Sequence, residues 1–135
     1  MNYLLDSSAL LAFYYGESCA PRVKEMLSDE RSDTGLSVLS AGEFWSSLRA
    51  QGWERAFDDE WRRVSEAVDE LIPVSLPIVF RSLELRRATP GRLPYVDALI
   101  AATAAVRGAV LVHSDPHFLS IPTHLLQQEC LSTPS

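Results

Sequence analysis

The sequence predicts an α/β fold, a three-layer α/β/α sandwich around a mainly parallel sheet. Short apolar runs alternate with longer stretches of helical periodicity, and strands separated by helices pair in parallel through crossovers. Acids recur where those runs end, at the sheet edge where open α/β sheets bind ligands. The chain has 135 residues, 47% of them hydrophobic, which is enough for one domain with a real core. That domain is expected over residues 1–126, with 127–135 a loose tail.

Asn2 to Leu5 reads as a buried strand and Ser8 to Tyr14 as the helix after it, with Gly16 ending the turn. Ala20 to Ser28 is a second helix, Pro21 being tolerated in its first turn. A polar loop leads to a strand at Thr34 to Val38 and a helix at Ser40 to Gln51, closed by Gly52. Trp53 to Leu71 is a long amphipathic stretch, with Trp53, Phe57, Trp61, Val64, Val68 and Leu71 near helical spacing. Ile72 to Val74 is a short strand, Pro77 to Ala88 a helix and Thr89-Pro90-Gly91 a turn. Pro94 to Arg107 is a helix and Ala109 to His113 a strand. A last short strand or extended segment is expected near Ser120 to Thr123.

Composition narrows the function. The longest uncharged stretch of the C-terminal half, Ala98 to Val106, is far short of a membrane span. The first residues lack the basic and apolar regions of a secretory signal, and Cys19 and Cys130 have no metal-binding or redox spacing. A cytoplasmic protein with reduced thiols is expected. A net charge of −6 argues against a protein that coats nucleic acid, because such binding rests on Lys and Arg. It leaves a nuclease open, since a metal site needs clustered carboxylates. Arg81, Arg86, Arg87 and Arg92 precede Asp97; Arg86, Arg87 and Arg92 are candidates for contact with an RNA backbone, or a solvated helix face.

Four acids are the candidate site: Asp6, Glu43, Asp97 and Asp115. Each has an ordinary explanation. Asp6 could cap the next helix. Ser40-Ala41-Gly42-Glu43 fits a capping box, which alone is the better account of Glu43. Asp97 lies in a helical first turn, where the macrodipole favours an acid, and Asp115 precedes Pro116 in a turn. Yet the helix around Asp97 is apolar almost all round, and burying a carboxylate there costs several kcal/mol unless it is paired or metal-bound. Nor do the four explanations account together for one acid at each of three strand ends and on the facing helix. Carboxylates so gathered repel unless a cation neutralises them, and oxygen donors of this kind suit Mg2+ or Mn2+ for hydrolysing phosphodiesters.

Four segments carry a family resemblance: Leu5-Asp6-Ser7-Ser8-Ala9-Leu10, Glu43 after Ser40, Asp97-Ala98-Leu99-Ile100-Ala101-Ala102, and Leu111-Val112-His113-Ser114-Asp115-Pro116-His117-Phe118. In this order the chain resembles the PIN-domain nucleases, and among them the VapC-type toxins of bacterial toxin–antitoxin pairs. The resemblance implies a PIN-like parallel-sheet sandwich, a ribonuclease dependent on Mg2+ or Mn2+, a small antitoxin partner and a homodimer. It implies catalytic and metal-binding roles for Asp6, Glu43, Asp97 and Asp115, and supporting roles for Ser7 and Ser114. His113 and His117 depart from the family's usual residues, and either imidazole has the chemistry to serve an acid–base step.

Phe44, Trp45, Leu48, Trp53, Phe57 and Trp61 form an aromatic-rich stripe that could be a groove for the antitoxin or ordinary core. Two rival functions remain. A catalytically inactive PIN-like module would bind RNA or protein without turnover. A phosphoaspartyl phosphatase also begins strand-Asp, but it needs a second Asp where Ser8 stands and a later lysine, and no lysine follows Lys24.

Overall fold

Alternate residues of the central strands serve different cores, which fixes the layers. In the computed structural model, which describes residues 2–132, β1 (Tyr3–Leu5) and β4 (Val110–His113) pair in parallel. Leu4 and Leu111 enter one core, Leu5 and Val112 the other, as the two-residue period of a strand requires. The first core is covered by α5 (Leu76–Ala88) and α6 (Tyr95–Arg107). The second is covered by α1 (Ser7–Tyr14), α2 (Ala20–Ser28), α3 (Ser40–Ala50) and α4 (Phe57–Ala67). The result is the three-layer α/β/α sandwich that the sequence predicts. Each fully buried leucine stabilises it by roughly 2 kcal/mol.

With β2 (Thr34–Ser37), β3 (Glu70–Ile72) and β5 (Gln128–Cys130), the sheet has five strands in the order β3-β2-β1-β4-β5, every pair parallel. From β1 the chain winds outward through β2 and β3, then crosses to β4 on the other side of β1. Ligands in such sheets bind beyond the carboxyl ends of the strands at this switch point.

α6 crosses the interior, with Ala98 through Ala104 all buried. It stops because Gly108 takes the left-handed conformation, φ 62°, which lets its N–H reach Ala104 and Ala105.

Three segments differ from expectation. The stretch from Trp53 is a 3-10 turn at Glu54–Ala56 followed by α4, and its end is strand β3, so Leu71 belongs to the sheet. β3 ends at Ile72 instead of beginning there, because Pro73 has no N–H to give the ladder. The last strand is not at 120–123, where a 3-10 turn (Pro116–Ser120) runs out, but at 128–130, which was expected to be tail. β4 supplies its pairing, and Arg22 of α2 holds Glu129 through two hydrogen bonds of 2.8 and 3.0 Å. The rest of the expected tail, 133–135, lies outside the described residues.

Candidate metal centre

β1 runs directly into Asp6, whose N–H continues the pairing by donating to Val112 O at 3.0 Å. The carboxyl is 4% exposed. Its Oδ1 accepts from Ala9 N at 2.9 Å, capping α1, and from Ser8 Oγ at 2.7 Å. The cap explanation is therefore correct as far as it goes, but it does not exhaust the residue. Burial raises the Asp6 pKa to about 7 against those two bonds, and the charges of Asp115 and Glu43 push it further in the same direction.

Glu43 stands in the first turn of α3. The capping box is not formed: α3 is capped by Leu39 with no side-chain bond, Ser40 is already helical, and its hydroxyl accepts from Ser7 Oγ at 3.0 Å. The Glu43 pKa is raised by desolvation and then by Asp97 and Asp115, with the Ser7 hydroxyl offsetting part of this. Ser7 thus joins the starts of α1 and α3. The half-buried Asp97, in the first turn of α6, is likewise raised by burial and then by Asp115, with His117 opposing.

Asp115 follows β4 and caps the 3-10 turn, its Oδ1 accepting from His117 N at 3.0 Å. Ligand atoms of Asp97, Asp115 and His117 all lie within 4.8 Å of one another. Asp6 and Glu43 adjoin this group electrostatically. Ser114 contributes through its backbone: its N–H donates to Ser8 Oγ at 2.9 Å, and Ser8 donates to Asp6. Ser8, at the position where a phosphoaspartyl phosphatase needs its second Asp, is a link in this relay that sequence reasoning missed.

The two histidines divide. His113 is fully buried against Phe118, with Nε2 2.8 Å from Gln128 Oε1 and Nδ1 accepting from Asp115 N at 3.2 Å. Both ring nitrogens are engaged, and burial lowers its pKa, so it is a neutral support for the Asp115 turn. His117 is exposed and lies in the cluster, Nδ1 3.0 Å from Asp115 Oδ1.

Arg86, Arg87 and Arg92 line an open hollow with Gly91, Leu93, Pro94 and Tyr95. Arg86 is engaged there, donating to Leu93 O at 3.2 Å and stacking over Tyr95. The aromatic stripe is not one groove. Phe44 and Leu48 are fully buried, and Phe57 and Trp61 stack on each other and lie tilted against Phe44 as part of the same core. The helical period could not tell which side faces the sheet. Only Trp45 and Trp53, 36% and 52% exposed, remain available to a partner.

A parallel α/β/α sheet with Asp97 and Asp115 side by side beyond its strand ends, and Asp6 and Glu43 coupled to them electrostatically, defines an acid-centred α/β domain. The PIN domain family model matches residues 3–123, and the chain belongs to the PIN-domain family. No curated protein sequence is significantly similar to it. Among solved structures, VapBC2 from Rickettsia felis bound to a promoter DNA fragment matches with TM-score 0.78 and 20% identity, over 96% of this chain and 98% of that one. A toxin–antitoxin complex from Klebsiella pneumoniae matches with TM-score 0.74 and 21% identity, over 98% and 99%. VapC20 from Mycobacterium tuberculosis, described as a toxin cleaving the sarcin-ricin loop, matches with TM-score 0.65 and 20% identity, over 87% and 92%. At these identities the likeness shows the fold. No described helix is long and apolar enough to cross a membrane.

Proposed function

We propose that this PIN-domain chain is a Mg2+- or Mn2+-dependent endoribonuclease, the toxin of a toxin–antitoxin pair, working in the cytoplasm and pairing with a second copy of itself. The observation that carries this reading is the convergence of Asp6, Glu43, Asp97 and Asp115, three of them with pKa values raised by burial and by one another. The donor set fits a divalent ion: ligand atoms of Asp97, Asp115 and His117 all lie within 4.8 Å of one another, close enough to share one ion, and positive charge there would relieve the repulsion. When bound, such an ion supplies charge for the phosphate and a water of lowered pKa.

Asp97 and Asp115 would hold the ion, with Asp6 completing the negative site from the buried side. Glu43, the most open of the four acids, is suited to accept a proton from the attacking water, and its raised pKa brings it closer to neutrality. In-line attack would leave a 5′-phosphate and a 3′-hydroxyl. Arg87 and Arg92, exposed on the hollow at the start of α6, are suited to the RNA backbone. Toxin–antitoxin complexes among the structural neighbours support the antitoxin, for which Trp45 and Trp53 offer aromatic anchors.

The test is cleavage of total cellular RNA by purified, partner-free protein with Mn2+ or Mg2+, beside EDTA and Asp97→Asn controls. Metal-dependent cuts absent from both controls are expected, and their mapped ends identify the substrate. Folded, metal-binding protein that cuts nothing would shift the reading to a binding module.

A further inference from the structure

His117 is the one member of the three-donor cluster that is not a carboxylate. Its position is set by the backbone: the 3-10 turn Pro116–Ser120 brings His117 N to 3.0 Å from Asp115 Oδ1, and the ring follows with Nδ1 at 3.0 Å from the same oxygen. The residue is exposed, so a small rotation of the ring disturbs no core packing. The neighbouring imidazole supplies a contrast, since both nitrogens of His113 are bonded within the protein. Only His117 is placed to offer a nitrogen to an ion between Asp97 and Asp115.

We propose that His117 is a direct ligand of the metal ion held by Asp97 and Asp115, and that its nitrogen biases the site toward Mn2+ and other first-row transition ions over Mg2+. The inference rests on the metal centre proposed above. Imidazole suits borderline transition ions, whereas Mg2+ favours oxygen donors and gives up its waters reluctantly. Asp97, Asp115 and His117 would together hold such an ion, which would supply positive charge for a phosphate oxygen.

The experiment uses the full, tag-free chain loaded with one equivalent of Mn2+ and read by pulsed electron paramagnetic resonance. Wild-type protein is expected to show the 14N modulation of a coordinated imidazole, and His117→Gln to lose it at equal bound Mn2+. In titrations, His117→Asp should lower the preference for Mn2+ over Mg2+ by at least about tenfold, since even outer-shell partners of a metal act on that scale. Mn2+ that binds, is released by Asp97→Asn and shows no 14N coupling would overturn the role of His117 and leave the metal centre standing. Folded wild-type protein that binds no Mn2+ would overturn both.

Discussion

Asp6 caps α1 and also belongs to the acid cluster, and the two roles pull its charge in opposite directions. The cap bonds from Ala9 and Ser8 favour the carboxylate; burial, Asp115 and Glu43 disfavour it and prevail, giving a pKa of about 7 against an ordinary 3.8. Between those values the folded state keeps a proton that the unfolded chain has released. Stability is therefore greatest below about pH 4 in this respect and is lost as pH rises through about 7. Glu43 and Asp97 are shifted in the same direction. In EDTA, calorimetry should show melting temperature falling from pH 5 to pH 8. Asp6→Asn, whose amide oxygen can still cap the helix, should flatten this trend and stabilise the protein at pH 8 by up to a few kcal/mol. A variant melting below wild type at pH 8 would contradict the assignment. Ser8→Ala should act oppositely, costing about 1–3 kcal/mol by leaving the Ser114 N–H without its acceptor and Asp6 without one of its two donors. The acids themselves were legible because strand-to-helix junctions and the apolar surroundings of Asp97 are local features. Ser8 was not, since it acts through a contact 106 residues away; His117 was singled out for its acid–base chemistry, but its place beside Asp97 comes from a turn that no periodicity encodes. The capping box that the pattern suggested at Glu43 does not form because the cap is Leu39, which leaves Ser40 already inside α3.

Among the elements, β5 most changes the picture drawn from sequence. Gln-Glu-Cys is too short and polar to announce a strand, and its pairing comes entirely from the open edge of β4. Once there, it satisfies much that the sheet needs: Gln128 bonds the buried His113 ring and Phe118 O, and Glu129 holds α2 through Arg22. Truncation after Gln127 should therefore lower stability by more than about 3 kcal/mol, whereas Gln128→Ala should lose about 1–3, the cost of orphaning a buried ring nitrogen. Urea unfolding checks both, and an unchanged midpoint for the truncated chain would show the strand to be dispensable. The long helices were legible nearly to the residue, and Ala20–Ser28 to the residue, because their period is carried by many positions. The junction after α4 was not. Val64 and Val68 are both buried on the helical spacing, but the chain has already become extended at Val68, so the period outlasts the helix that it seems to describe.

At the scale of the whole molecule, two surfaces ask for partners, and only one lay within the stripe that the sequence singled out. On α5, Leu76, Phe80 and Leu83 are 63%, 57% and 46% exposed at spacings of four and three, while Ile78, Ser82 and Leu85 face the core. The outward stripe was hidden in the sequence because α5 is apolar on both sides, so periodicity shows no contrast between them. Exposed apolar surface of this extent on one helix marks an interaction face. A helix stripe flanked by Arg81 and Glu84, themselves 3.4 Å apart as an ion pair, can meet its own copy across a two-fold axis, each Arg facing the other chain's Glu. For the homodimer proposed above this is the face we would assign, leaving Trp45 and Trp53 on the opposite layer for the proposed antitoxin, so that both could be occupied at once. Phe80→Glu places a charge in the middle of the stripe and removes no core contact. It should convert a dimer to a monomer in light scattering at micromolar concentration, with circular dichroism and Mn2+ binding unchanged. Trp53→Ala should leave the dimer intact and weaken only the antitoxin complex. Wild-type protein that is monomeric across this range would remove the homodimer, and a dimer that survives Phe80→Glu would move it to another face.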